Sequence, residues 1–192
     1  MRKGFGISVL IAAAISMPVP AFANRANSQR ANEPVEGRGP ELRDSTATES
    51  RPLAGGRTLR DIERLENQCL EEVNRQRRAN RIKPLGFSEP LLPIARAYSQ
   101  RMAEGRFFSH TDPEGRTIRQ RVDEAGIKWS TLGENLASSN GYINPVAVSM
   151  RGWMDSHTHR RNILDPNYTL TAVGVWIGQD GTIYFTEIFL RE

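Results

Sequence analysis

Three histidines are the residues of this chain best suited to chemistry, and two of them stand almost together. His157 and His159 fall in residues 153–164, a polar run that reads W-M-D-S-H-T-H-R-R-N-I-L. His110 lies far upstream in F-F-S-H-T-D-P-E-G, and Glu134 lies between them in G-E-N-L. Imidazoles and a carboxylate from separate segments can meet as a divalent metal centre or as an acid/base site. Spacing limits which histidines take part. Side chains two apart diverge on a helix and share a side only on a strand, so at most one of His157 and His159 is expected to enter a site. His110 also has a plainer alternative, a loop histidine whose ring bonds to nearby backbone. No H-E-x-x-H occurs, and Ser156 beside His157 is adjacency in sequence rather than serine-triad geometry.

These residues need elements to hold them. Ile62, Leu65, Cys69 and Val73 recur at helical steps behind a capping Thr58 or Asp61, and the helix is expected to end in residues 77–80. Cys69 then faces the core as an inert thiol. Ser88 is expected to cap a second helix, with Pro90 and Pro93 near its first turn and Gly105 at its end. Thr117 caps a third, with Ile118, Val122 and Ala125 inward and Arg121 on the same helix, stopped at Gly126. Residues 127–132 read as a short strand, after which Gly133 turns the chain and presents Glu134. Asn144-Pro145 starts a helix with Val146, Met150 and Trp153 inward. Residues 171–177 and 182–190 flank G-Q-D-G, a strong hairpin signal. Both strands are apolar on both faces, which predicts a sheet covered on both sides.

The N-terminus reads differently. A basic start, an apolar run over residues 4–17 and Ala21-Phe22-Ala23 make a secretory signal peptide over residues 1–23. Residues 24–57 are polar, charged and punctuated by proline and glycine, which predicts a disordered linker. Residues 58–192 are then one domain of ordinary size, expected to be monomeric. Without Arg2 and Lys3 the chain carries 24 basic against 22 acidic residues. So slight and scattered an excess gives no grounds for nucleic-acid binding. No later run reaches membrane length, so no span is expected after signal cleavage. A secreted or periplasmic protein is expected, and its single cysteine gives no internal disulfide.

Taken together, the pieces resemble the CAP superfamily (cysteine-rich secretory proteins, antigen 5 and pathogenesis-related 1), in its bacterial SCP-like branch. The resemblance spans about residues 62–190. It rests on V-N-R-Q-R at residues 73–77, F-S-H-T-D at 108–112, G-E-N at 133–135, W-M-D-S at 153–156 and H-R-R-N-I-L at 159–164. Gly174-Val175 and Tyr184-Phe185-Thr186 complete the set. It implies an α/β fold, an α-β-α sandwich with a small three-stranded antiparallel sheet between helical layers. It also implies a central cavity lined by His110, Glu134 and His159, with Ser156 where animal and plant members often carry glutamate. Glu187 is a carboxylate that could stand in for that missing acid, and His157 has no family role. His110 and His159 would hold Zn²⁺ or another divalent cation, with Glu134 beside them; no organic cofactor is indicated. Two functions compete. The preferred one is a module binding a lipid or another small apolar or envelope-derived ligand. The alternative is a metal-dependent hydrolase, peptidases included, in which Glu134 is catalytic.

Overall fold

The computed structural model describes residues 58–192. The signal-peptide and linker readings, residues 1–57, lie outside the described residues.

Helix α1 (Leu59–Ala79) starts at a reciprocal cap: the Asp61 amide donates to Thr58 Oγ1 at 3.3 Å and the Thr58 amide to Asp61 Oδ2 at 2.8 Å. It buries Ile62, Leu65, Cys69 and Val73, the stripe that the spacing predicts. Asn74 then grips both backbone groups of Leu85, at 3.0 and 2.7 Å, and lays the two-residue strand β1 (Gly86–Phe87) beside the sheet. Helix α2 (Leu91–Gly105) ends at Gly105 as expected but starts differently. Ser88 contributes its carbonyl to the Leu91 amide, but Pro90 is the cap residue and no side chain caps the helix. Beyond Gly105 it is Arg106 that takes the left-handed conformation, at φ 52°. Helix α3 (Ile118–Glu124) has a Thr117/Gln120 capping box and buries Ile118 and Val122; Ala125, expected inward, is exposed.

Strand β2 (Thr131–Ser139) is longer than the sequence suggests, and Gly133 and Glu134 lie inside it rather than at a turn. Pairing along its whole length with β4 (Ile183–Arg191) overrides the local signal. Gly133 serves packing instead: a Cβ there would overlap the Tyr168 hydroxyl. Helices α4 (Pro145–Asp155) and α5 (His157–Leu164) follow, α4 capped by Asn144, whose Oδ1 accepts from the Ala147 amide at 3.0 Å. Strand β3 (Leu170–Ile177) forms the expected hairpin with β4.

The sheet runs β1-β3-β4-β2. Its three long strands are antiparallel, as expected, and β1 adds a fourth, parallel to β3. A two-residue strand is too short to leave a period in sequence. Alternation along β3 and β4 splits the core. Val173, Val175, Phe185 and Phe189 pack with residues of α1, α4 and α5, whereas Ala172, Ile188 and Leu190 pack with residues of α2 and α3. This is the α-β-α sandwich.

Two contacts set the distance between layers and sheet. Gly174 lies directly under α2, where a Cβ would overlap the backbone of Ala95 and Arg96. Ser99 Oγ, one turn on, donates to the Gly174 carbonyl at 2.9 Å and bonds Thr186 Oγ1 at 2.8 Å. On the other layer, Glu66 of α1 accepts from the Val175 amide at 3.1 Å and holds Arg96 of α2 at 2.7 and 2.6 Å. Buried Arg77 donates to the carbonyls of Lys83, Ile163, Asp165 and Tyr168, fixing the chain between α5 and β3.

Candidate functional site

His110 leaves α2 on a loop whose shape comes from its own side chains. Asp112 Oδ1 accepts from the amides of Glu114 and Arg116 at 3.1 and 2.8 Å, and Tyr98 donates its hydroxyl to the Ser109 carbonyl at 2.5 Å. The imidazole is thereby aimed at β2. His110 Nδ1 lies 2.7 Å from Glu134 Oε1. Glu134 Oε2 lies 2.9 Å from Arg121 Nη2, an ion pair whose angle falls short of a hydrogen bond. The same Nη2 donates to the His110 carbonyl at 3.2 Å, and the guanidinium sits 3.2 Å from the centroid of the Tyr98 ring. Burial, first of all, pushes the Tyr98 hydroxyl far above its ordinary range, so it remains a neutral donor.

His159 stands on α5, close enough to His110 to feel its charge. Two asparagines pin that helix to the strand. Asn135 donates to the His159 carbonyl at 3.1 Å, while Asn162 donates to the Glu134 carbonyl at 3.2 Å and to Asn135 Oδ1 at 2.9 Å. His110, Glu134 and His159 end only 8%, 6% and 7% exposed. Burial, and then the neighbouring His110, holds the His159 pKa below its ordinary value, which favours the neutral ring. Among the described residues, His110 Nε2 and both ring nitrogens of His159 are buried without a hydrogen-bond partner. A buried polar atom left so is disfavoured by about 1–3 kcal/mol. Three such atoms on two rings are left without a bond from any described protein group.

The expected set is thus brought together only in part. His110 and Glu134 are bonded to each other, and buried His159 lies near enough to His110 for their charges to interact. His157 is exposed on α5. Ser156 sits half-buried at the junction of α4 and α5, and its hydroxyl makes no cap bond. Glu187 does not join them. It pairs with Asn135 across the strands, one position out of step with Glu134, so it faces the opposite side of the sheet with Thr171. Sequence reasoning missed the role of Arg121. Its signal was its place three residues after Ile118, at the margin of the buried stripe. Asn135 and Asn162 lay inside the G-E-N and H-R-R-N runs without an assigned task.

The donor set bears on a metal. Among the described residues no three His, Cys, Asp or Glu side chains converge as a ligand group. Glu134 is occupied by His110 and Arg121 and stands as an outer partner that orients the imidazole. Two imidazoles remain, a fit for an exchangeable divalent cation completed by water or ligand oxygen, and not for a closed structural zinc centre. A separate concavity of about 930 Å³ lies between α1 and α4, lined by apolar Leu65, Val146, Met150 and Ile183 and by charged side chains of both signs, Glu72, Arg75, Arg151 and Asp155 as well as Asp61 and Arg64.

The description "Cysteine-rich secretory protein family" (CAP) matches residues 70–189, and the site above falls inside that match. The chain belongs to the CAP family. The domain is 35% identical over 127 residues to the uncharacterized protein YkwD of Bacillus subtilis (strain 168), covering 66% of this chain and 47% of that protein. It is 30% identical over 128 residues to the uncharacterized membrane protein YlbC of the same strain, covering 66% of this chain and 34% of that one. The chain thus spans less than half the length of either relative. Among solved structures, an extracellular SCP-domain protein of Bacillus anthracis str. Ames superposes with TM-score 0.60 at 24% identity, over 74% of this chain and 48% of that one. An outer surface protein of Borrelia burgdorferi gives 0.61 at 20%, over 71% and 96%. These likenesses establish the fold. No helix among the described residues is long and apolar enough to cross a membrane.

Proposed function

We propose that this CAP domain is the ligand-binding part of an exported protein, in which His110 and His159 hold a divalent cation, Zn²⁺ foremost. The groove between α1 and α4 takes a small apolar or envelope-derived ligand. The observation that carries the cation site is the trio of buried, unpartnered imidazole nitrogens on two rings, one of them already oriented by a carboxylate. When bound, such an ion supplies a positive centre for an oxygen of the ligand or of water. The chain's own residues do the rest. Glu134 fixes the His110 ring, Arg121 holds Glu134, and Asn135 with Asn162 holds the backbone of His159 in place. Export is supported by the signal-peptide reading of residues 1–23 and by the extracellular and outer-surface descriptions of the Bacillus anthracis and Borrelia burgdorferi proteins.

The hydrolase reading has less behind it. A general base must reach the water or substrate it deprotonates. The Glu134 side chain is 2% exposed, bonded to His110 on one oxygen and facing Arg121 on the other. That is the position of an orienting group.

Calorimetric titration of the mature protein with Zn²⁺, beside the His110→Ala/His159→Ala variant, tests the reading. The expected result is one-to-one binding that the variant loses. Absent or unchanged binding would overturn the cation site. Peptide or ester turnover lost in Glu134→Gln, with metal retained, would reinstate the hydrolase.

A further inference from the structure

At the far end of the hairpin from Glu134, four aromatic side chains close on one hollow. Trp176 of β3 and Tyr184 of β4 are direct cross-strand partners and so stand side by side on one face. Phe107 and Phe108, leaving α2, face them across a concavity of about 880 Å³. All four are half-buried. None of His110, Glu134 or His159 lines this hollow, which lies four residues along β4 from the partner of Glu134, about 13 Å away.

Polar side chains of both signs ring the aromatics. Asp180 is fixed by its own turn, accepting from the Thr182 amide at 2.9 Å and the Thr182 hydroxyl at 2.8 Å. Gln179 lies beside it. Arg106 comes from the opposite wall and from a backbone that disfavours it. At φ 52° glycine would be free of strain, whereas arginine costs about 1 kcal/mol or more. What the strained position delivers is a guanidinium at the rim. Among the described residues the Trp176 indole N–H and the Tyr184 hydroxyl are bonded to no protein group.

We infer that this hollow binds a saccharide, held by Trp176, Tyr184, Phe107 and Phe108 against the sugar rings and by Arg106, Asp180 and Gln179 at their hydroxyls. Aromatic faces carry negative quadrupole charge and receive the C–H face of a pyranose. Guanidinium, carboxylate and carboxamide are planar, two-pronged groups that match neighbouring hydroxyls. With acid and base on one rim, neither a lone anion nor a lone cation is favoured. The volume falls within the roughly 300–1,000 Å³ of small-molecule sites and suits an oligosaccharide better than a single ring.

The test is calorimetric titration of the full chain with two probes, a β-1,4-linked N-acetylglucosamine tetramer and a β-1,4-linked glucose tetramer. Saturable binding of either is expected, and which one binds separates an amino-sugar glycan from a plain hexose polymer. Trp176→Ala should weaken it about tenfold, the scale of one lost stacking contact. Arg106→Gly keeps the fold, because glycine suits φ 52°, and should also weaken binding. The inference is overturned by no binding of either probe, by binding that neither variant alters, or by a hollow that takes choline and no sugar.

Discussion

Arg121 and Glu134 make an ion pair that can be taken apart in two ways with different results. Their side chains are 8% and 2% exposed. Arg121→Met leaves a buried carboxylate without its cation, which typically costs about 3–5 kcal/mol. Arg121→Met/Glu134→Gln leaves no charge behind and should recover a large part of that loss in urea denaturation. Glu187 offers a second single-residue experiment. It is fully buried, and burial pushes its carboxyl well above the ordinary 4.5, against weaker opposing pulls from Thr171 and Arg77. Below pH 4.5 folded and unfolded chains both hold that proton. As pH rises the unfolded chain releases it first, so stability falls until the folded pKa is passed. Glu187→Gln should therefore match the wild-type melting temperature near pH 4 and exceed it at pH 8. The histidines and Glu134 were legible in sequence because few residue types do their chemistry. Arg121 was not, since a helical arginine ordinarily lies in solvent and only the tertiary approach of β2 makes this one a partner.

Helices announced themselves by their caps. Thr58, Thr117 and Asn144 act within one turn of chain, so their signals survive without tertiary context. Strand β2 hid its length because its register comes from β4, about fifty residues later, and because a strand glycine resembles a turn glycine. The two sheet glycines predict different mutational behaviour. Gly174→Ala drives a methyl into the backbone of α2, which cannot yield without moving the layer. A loss of about 3 kcal/mol or more, or failure to fold, is expected by thermal melting. Gly133→Ala meets chiefly the Tyr168 hydroxyl. Removing that hydroxyl in Gly133→Ala/Tyr168→Phe should make the pair less destabilised than Gly133→Ala alone.

The domain as a whole should report ligation through its stability. An ion that binds only the folded form adds about 2.7 kcal/mol at one hundred times its Kd. Zn²⁺ should raise the melting temperature of the wild type and leave that of His110→Ala/His159→Ala unmoved. The sandwich itself was legible from a hairpin apolar on both faces, whereas the way its layers lock was not, because Glu66 and Arg96 are separated by thirty residues and each reads alone as surface charge. That lock has a further outcome. The Val175 amide belongs to the part of β3 that β1 is too short to cover, and Glu66 occupies it; at the opposite border, Asn162 occupies the Glu134 carbonyl of β2. An unpaired strand border is a template on which a second chain can add. Here side chains hold both borders, so Glu66→Ala should leave a domain prone to stick to its own copies.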